Sequence, residues 1–202
     1  MDIKICGLMR PDDVDSVNLA GPDYAGFIID VPGSRRTLSP DRAAALSRQL
    51  AESIRAVGVF VDADPQLPTR LWDEGVIDVI QLHGQEDDWS IQSLQNGPGG
   101  RHRIVWKAFQ IRGPEDVAAA NASSADLVVL DSGQGSGLPF DWTLLRAVER
   151  PYMLAGGLDA GRIAQARMLP LLLGVDLSSG VETRGHKDRV KIRAAVAAAH
   201  KE

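Results

Sequence analysis

The run Ile3-Lys4-Ile5-Cys6-Gly7 (residues 3–7) is a short β-prone segment that ends at a glycine. Because side chains alternate along a strand, Lys4 and Cys6 face one side while Ile3 and Ile5 face the other. One face is therefore ionisable and the other aliphatic. This pattern suits the first strand of a barrel whose interior opens into an active site and whose exterior is covered by helices. The only cysteine of a chain is more often a small buried hydrophobe than a reactive group, so the rest of the sequence must decide its role.

The remainder of the chain alternates between strand-like and helix-like segments. Apolar, β-branched runs lie at 2–6, 23–29, 55–61, 76–82, 103–109, 125–130, 151–155 and 171–177. Segments with helical spacing lie at 11–19, 39–50, 65–74, 86–95, 114–121, 141–148, 159–167 and 187–200. Ser39 is the predicted N-cap of the second helix, with Pro40 in its first turn. Eight strands, each followed by a helix, predict an α/β fold, a (β/α)8 (TIM) barrel. No linker divides residues 1–202, which we interpret as a single domain.

An open, doubly wound sheet also alternates strands and helices, and it is the competing architecture. That sheet would carry its glycine fingerprint after the first strand, where this chain has only CGLMR at 6–10. A barrel instead binds phosphate with the loops after strands seven and eight. Those loops read AGGLD at 155–159 and DLSSGVE at 176–182, so the barrel is favoured. The candidate phosphate-binding residues are Gly156, Gly157, Ser179 and Gly180.

Composition and charge argue against several classes of protein. The chain has 22 basic and 27 acidic residues, well mixed, for a net charge of −5, and no basic block that would indicate nucleic-acid binding. No apolar run is long enough to span a bilayer, and the first 20 residues are too charged for a signal peptide. The four histidines are scattered without metal-binding spacing. We therefore expect a cytoplasmic protein without a nucleic-acid partner, a membrane partner or a metal.

The predicted sixth strand ends in an acid. Asp131 shares strand parity with Leu127 and Val129 and should point into the barrel at its carboxyl end. It is either a turn residue that accepts loop N–H bonds or a general acid at the catalytic rim. The following SGQGSG (132–137) does not match G-x-G-x-x-G, so a dinucleotide site is not indicated.

Three further polar residues lie where strands two and four end. Arg36 follows Arg35 in the loop after strand two; such a pair is usually just solvated, but an arginine there could bind a substrate carboxylate through both arms of its guanidinium. Gln81 and His83 share one side of strand four at its end. A lone histidine such as His83 is more often a structural hydrogen-bonding residue than a catalyst.

These segments, in this order, resemble the phosphoribosylanthranilate isomerase family of tryptophan biosynthesis over nearly the whole chain. The matching motifs are KICGL (4–8), GFI (26–28), SRR-LSP (34–40), VGVFV (57–61), QLHG-E (81–86), KAF (107–109), LD (130–131), GSG-PFDW (135–142), AGGL (155–158), VDLSSGVE (175–182) and GHKD (185–188). KICGL together with VDLSSGVE is the most specific pair. The resemblance implies a cofactor-independent Amadori rearrangement of N-(5-phospho-β-D-ribosyl)anthranilate to 1-(2-carboxyphenylamino)-1-deoxy-D-ribulose 5-phosphate.

The resemblance also implies roles for individual residues. Cys6 matches the family's general base and Asp131 its general acid. Arg36 matches the arginine that holds the anthranilate carboxylate, and Asp176 an acid near the substrate's amino group. The two glycine-rich loops match the phosphate site, and we add Gln81 to the substrate-binding candidates, together with His83. The expected partner is a small phosphorylated substrate, bound by a monomer or a homodimer.

Two departures and two rival interpretations stay open at this point. Met9 replaces a small polar residue after KICGL, and Gln134 replaces a glycine of the usual loop after strand six. One rival is a lysine-based barrel enzyme, such as indole-glycerol-phosphate synthase or a sugar-phosphate epimerase, because Lys107 ends strand five. The other rival is a barrel that serves only as an interaction scaffold, against which Cys6, Arg36 and Asp131 all argue.

Overall fold

Eight parallel strands form a closed barrel in the computed structural model of the chain, which describes residues 1–131 and 142–201. The strands are Asp2–Cys6, Tyr24–Ile29, Arg55–Phe60, Val79–Leu82, Ile104–Gln110, Leu127–Asp131, Tyr152–Ala155 and Leu172–Leu177. The first strand pairs in parallel with both the second and the eighth, which closes the ring. The predicted (β/α)8 barrel is therefore confirmed, and an open doubly wound sheet is excluded.

Helices follow the strands in the described ranges, as predicted. The α-helices are Pro11–Ala20, Pro40–Ser47, Gln66–Asp73, Asp88–Gln95, Pro114–Ala122, Ala160–Ala166 and Arg189–His200. The predicted N-cap Ser39 is confirmed, because its side chain accepts a hydrogen bond from the backbone N–H of Arg42 at 3.3 Å. None of these helices is both long and apolar enough to cross a membrane.

Several predicted helices differ from the structure in type or in bounds; the second ends at Ser47, three residues earlier than predicted, and the fourth begins at Asp88, two residues later. The segment after the sixth strand is a 3-10 helix, Trp142–Ala147, and the start of the predicted helix at 141 lies outside the described residues. The last helix begins at Arg189, two residues later than predicted. Asp188 is its N-cap and accepts the backbone N–H groups of Val190 and Lys191, because four N–H groups at a helix start need acceptors.

Short strands extend the carboxyl-terminal end of the barrel, where its loops gather. Thr37–Leu38 pairs in parallel with the end of the second strand. Glu182–Thr183 and His186–Lys187 form a small antiparallel hairpin just after the eighth strand. Lys187 is thus part of this hairpin and not of the last helix, and its side chain is directed toward the loops of the barrel mouth.

Strand parity divides the apolar residues into two layers. Ile3 and Ile5 pack in the outer layer between strands and helices, whereas Cys6 belongs to the separate cluster inside the barrel. The prediction made from the first strand is therefore confirmed. Near the amino-terminal ends of the strands the interior is filled by Tyr24 and Trp106, whose rings meet edge to face at 4.9 Å. The interior is thus packed at one end and open at the other.

Candidate active site

A cavity of about 420 Å³ opens at the carboxyl-terminal ends of the strands, which is the end where barrel enzymes carry their active sites. Its walls include apolar side chains from strands two and three, Ile28 and Val59. Its size lies within the range that holds a small ligand. All ten residues selected from the sequence line it, namely Cys6, Arg36, Gln81, His83, Asp131, Gly156, Gly157, Asp176, Ser179 and Gly180.

The glycine loops after strands seven and eight form one end of this cavity. Gly156 and Gly157 have φ angles of 89° and 60°, a left-handed conformation that glycine adopts without steric cost. A Cβ on Gly180 would overlap the backbone carbonyl of Leu158, so the two loops approach each other as closely as backbones can. Gly180 lies in the 3-10 turn Ser179–Val181. Residues of both loops therefore line the same end of the cavity.

Cys6 ends the first strand and is buried, with 8% of its surface exposed. Burial raises the pKa of the Cys6 thiol, because the thiolate loses hydration. The ammonium group of Lys4 lowers the pKa of the same thiol, as expected for a neighbour of opposite charge, but burial is the larger effect. Gly26 on strand two leaves the space that the sulfur needs: a Cβ there would lie 2.8 Å from the Cys6 Sγ.

Asp131 and His83 lie next to each other at the rim. The distance from the His83 Nε2 to the Asp131 Oδ2 is 3.6 Å, within ion-pair range and longer than a hydrogen bond. Both side chains are partly exposed to the cavity, at 24% for Asp131 and 38% for His83. The sixth strand therefore directs its terminal acid inward, as its parity with Val129 predicted.

Arg36 is held in a fixed orientation by a carboxylate that sequence reasoning had not assigned. Its Nε and Nη2 donate to the two oxygens of Glu182 at 2.8 and 2.9 Å, a bidentate pair. Lys187 donates to the Glu182 Oε1 at 3.0 Å, and to the Ser178 carbonyl at 3.0 Å. These contacts lower the pKa of Glu182 to about 2, against the effect of its burial.

Glu182 and Lys187 are the residues of the site that the sequence analysis missed. Both lie inside motifs that carried the family resemblance, VDLSSGVE and GHKD, so the signal was present without a role attached to it. Their partnership links the loop after strand eight to the loop after strand two. The Nη1 of Arg36 makes no hydrogen bond within the described part of the chain, so it remains available to a ligand.

Glu182→Gln is expected to raise KM for the substrate about tenfold or more and to change kcat less. A neutral amide cannot match the charge-assisted bidentate pair, which is worth about 1.5–3 kcal/mol, so the guanidinium loses its fixed position. The measurement is steady-state kinetics, with Glu52→Gln, at an exposed position, as a matched charge-change control. A KM within twofold of that of the unaltered chain would contradict the role of Glu182 in holding the Arg36 guanidinium for the substrate.

The same carboxylate predicts an acid sensitivity. Because folding lowers the pKa of Glu182 from its ordinary 4.5 to about 2, its stabilising effect is complete above pH 4.5 and is lost as the pH falls toward 2. Unfolding midpoints measured from neutral pH downward should therefore fall less steeply for Glu182→Gln than for the unaltered chain.

Lys107 faces away from the cavity, which removes the basis for the lysine-based rival. It has the opposite strand parity to Trp106 and Ala108, which lie inside the barrel. Its ammonium donates to the Glu86 Oε2 and to the Gly84 carbonyl, both at 2.7 Å. Lys107 thus fixes the loop after strand four. The lysine-based interpretation considered only the position of Lys107 along the strand and not the direction of its side chain.

Of the two departures noted in the sequence, Gln134 cannot be placed and Met9 can. The glycine loop at 132–137, with Gln134, lies outside the described residues. Met9 is partly buried, packs against the outer apolar layer and lines a smaller pocket beside Arg36 and Glu182. Among residues 1–131 and 142–201, no group of three or more histidine, cysteine or acidic side chains could hold a metal ion.

The closed barrel and the position of its cavity place the chain among the (β/α)8-barrel proteins with their site at the carboxyl ends of the strands. The family model described as N-(5'phosphoribosyl)anthranilate (PRA) isomerase matches residues 3–198. The chain belongs to this family.

Individual relatives agree with that assignment. The N-(5'-phosphoribosyl)anthranilate isomerase of Rhodospirillum centenum is 38% identical over 93% of this chain and 92% of its own. A structure of monomers derived from the dimeric enzyme of Thermotoga maritima is 30% identical, with a TM-score of 0.84 and 98% coverage of both chains. Another enzyme of this name, solved with reduced 1-(o-carboxyphenylamino)-1-deoxyribulose 5-phosphate, is 29% identical, with a TM-score of 0.83 and 98% coverage of both. The resemblance noted in the sequence is therefore confirmed.

Proposed function

We propose that this isomerase converts N-(5-phospho-β-D-ribosyl)anthranilate to 1-(2-carboxyphenylamino)-1-deoxy-D-ribulose 5-phosphate, with Cys6 as general base and Asp131 as general acid. The observation that carries the proposal is the convergence of a thiol, a carboxyl group, an arginine and two glycine loops on one cavity from different strands. A relative of the same fold binds a reduced form of the product, which contains a phosphate, a carboxylate and a secondary amine. The cavity offers a group for each of these.

The two ends of the substrate are matched by groups at two sides of the cavity. The phosphate is bound by backbone N–H groups of the loops that contain Gly156 and Gly180, since fixed dipoles bind an anion without mobile charged side chains. The anthranilate carboxylate is bound by Arg36, which Glu182 holds in place. With both anions fixed, the ribose lies between them, beside Cys6 and Asp131.

The remaining polar groups are acceptors suited to the middle of the substrate. Two buried oxygens in the cavity, the Gln81 Oε1 and the Asp176 Oδ1, have no hydrogen-bond partner in the described part of the chain. A buried acceptor without a partner is costly, so each is expected to gain a donor when substrate binds. The amino N–H of the substrate is the donor we assign to Asp176, and a ribose hydroxyl is the donor for Gln81. His83 is placed to contact the ribose beside Asp131.

The proton transfers follow from the chemistry of an Amadori rearrangement. Asp131 gives its proton to the ring oxygen as the bond from C1′ to that oxygen breaks, and the amine nitrogen forms a Schiff base with C1′. Cys6, as thiolate, then takes the proton from C2′, and the electron pair moves toward the imine nitrogen. The balance closes when C1′ gains a proton and the 2′-hydroxyl loses one, which leaves the ketone. An acid and a base on different strands can serve both sides of the ribose.

The test of this function is the consumption of freshly prepared phosphoribosylanthranilate by the purified protein. Loss of the anthranilate fluorescence of the substrate, at a rate proportional to the protein concentration, is the expected result. Incubation with anthranilate and ribose 5-phosphate as separate compounds is the matched control. A signal that does not change with fresh substrate would overturn the proposal. Cytoplasmic location, a single domain and a monomeric or homodimeric state all stay predictions.

A further inference from the structure

An ion pair lies inside the barrel, below the proposed base. Lys4 has no exposed surface, and its Nζ donates to the Asp176 Oδ2 at 2.8 Å. The two residues are direct partners in the pairing of strands one and eight. Removing two charges from water costs several kcal/mol per ion, and an apolar pair of similar size could fill the same space more cheaply. Packing alone therefore does not explain why this position is charged.

The two oxygens of Asp176 have different surroundings. Oδ2 is held by Lys4, whereas Oδ1 is buried without a hydrogen-bond partner among the described residues. Asp176 also lines the cavity. Lys4 thus holds the Asp176 carboxylate by one of its oxygens, which leaves the other oxygen for a ligand.

Lys4 is also a neighbour of the thiol. It lies two residues before Cys6 on the same face of the strand, and both side chains pass the same point on strand two. A Cβ on Gly26 would lie 2.9 Å from the Lys4 Cε and 2.8 Å from the Cys6 Sγ. Burial has the largest effect on the pKa of Cys6 and raises it; the Lys4 ammonium lowers this pKa and the Asp176 carboxylate raises it. Two cations from the surrounding loops also act on the thiol: Lys187 lowers its pKa, and Arg36 interacts with it through charge. The ion pair therefore acts on the thiol through two opposed charges.

We propose that Lys4 is a positioning residue. Its ammonium group holds Asp176 in its substrate-binding orientation and at the same time stabilises the Cys6 thiolate beside that carboxylate. The proposal rests on Cys6 being the base. Without the ammonium, the carboxylate and the thiolate would face each other in a buried site, where like charges disfavour double ionisation. The thiol, which is the weaker acid of the two, would then keep its proton to a higher pH, and the reaction would lose its base.

The experiment is a pH titration of the thiol, followed by thiolate absorbance in the ultraviolet. Cys6 is the only cysteine in the chain, so the signal has one source, and Cys6→Ser in each background subtracts the two tyrosines. Lys4→Met should raise the midpoint so that the thiolate fraction at a fixed neutral pH falls at least about tenfold. Asp176→Asn should shift the midpoint in the opposite direction.

Opposite shifts distinguish positioning from a merely structural role, because a packing defect would move both variants the same way. Unchanged midpoints, or shifts of the same sign, overturn the proposal. If Lys4→Met does not fold, as circular dichroism will show, Asp176→Asn alone decides: a downward shift supports the charge coupling, and no shift refutes it.

The pH dependence of kcat/KM connects the titration to the reaction. For Lys4→Met its rising limb should move to higher pH by the same amount as the thiol midpoint. A shifted midpoint with an unshifted rate profile refutes the catalytic part of the proposal. If the unaltered protein shows no isomerase activity but the thiol midpoints shift as stated, the coupling stands and it is the proposed function that fails.

Discussion

Cys6→Ser is expected to lower kcat by at least about 10²-fold, while the affinity for inorganic phosphate stays nearly unchanged. A hydroxyl at the end of strand one occupies the same place as the thiol, but it is a much weaker acid and supplies almost no anion near neutral pH. A positioned base contributes about 10²–10⁴ to a proton transfer, and the variant forfeits that factor. The loops proposed to bind phosphate follow strands seven and eight and do not depend on the sulfur.

The measurement is single-turnover or steady-state loss of substrate fluorescence, with phosphate affinity taken from competitive inhibition. Cys6→Ala is the matched comparison, since it removes the hydroxyl as well and should be as slow as Cys6→Ser. A serine variant within about tenfold of the unaltered rate would assign the C2′ proton to another group.

The pKa of Cys6 adds a pH dependence with a definite sign. Burial raises the thiol pKa above its ordinary value, so the thiolate fraction at neutral pH is below the ~3% of a free thiol. Because the base must be deprotonated, kcat/KM should keep rising with pH beyond neutrality, up to the raised pKa. This rising limb should be absent in Cys6→Ala. A profile that is already flat at neutral pH would mean that neighbouring groups lower the pKa of Cys6 by at least as much as burial raises it.

Asp131→Asn is the second variant for which a loss of at least about 10²-fold in kcat is expected. Asparagine has nearly the same shape and can occupy the same position at the end of strand six, but it has no carboxyl proton to give to the ring oxygen. Ring opening would then depend on solvent. Because the change is close to isosteric, phosphate affinity and the unfolding midpoint should stay near those of the unaltered chain.

Asp87→Asn is the control for this second variant. Asp87 is the N-cap of the helix Asp88–Gln95 and is exposed, and asparagine is an equally good cap, so activity should not change. If Asp131→Asn keeps near-full activity while Cys6→Ser does not, the ring oxygen is protonated by another group. His83, whose Nε2 is 3.6 Å from the Asp131 Oδ2, would then be the next group to test.

The sequence predicted the barrel because each piece of local information pointed to the same architecture. Strand parity placed Lys4 and Cys6 inside and Ile3 and Ile5 outside, and the structure agrees. Side-chain alternation is a property of any single strand, so it can be read without knowing what lies opposite. The glycine loops after the last two strands were identifiable for a related reason, since positive φ angles and close backbone contacts demand glycine locally.

Predictions from the local pattern were wrong where the answer depends on residues that are distant in the chain but close in space. The segment after strand six has helical spacing but forms a 3-10 helix in its described part. Lys107 was predicted to end strand five, but it lies in the middle of Ile104–Gln110, and its parity and its pairing with Glu86 direct it away from the cavity. Arg36 was selected as a substrate-binding residue, but its partner Glu182, a carboxylate 146 residues further along the chain, was not foreseen.

By itself, then, the sequence determined the closed barrel, the end that carries the site and ten of the residues that line the cavity. The barrel, its open end and the glycine loops follow from period, parity or backbone sterics, which act over a few residues, whereas Asp176 was selected through the family resemblance. Only the tertiary structure decided which charges meet. Glu182 reaches Arg36 and Lys187, and Asp176 reaches Lys4 across 172 residues of chain, because closure of the barrel places strands one, two and eight side by side. Electrostatic energies depend on distance and burial in space, and a linear sequence contains neither quantity.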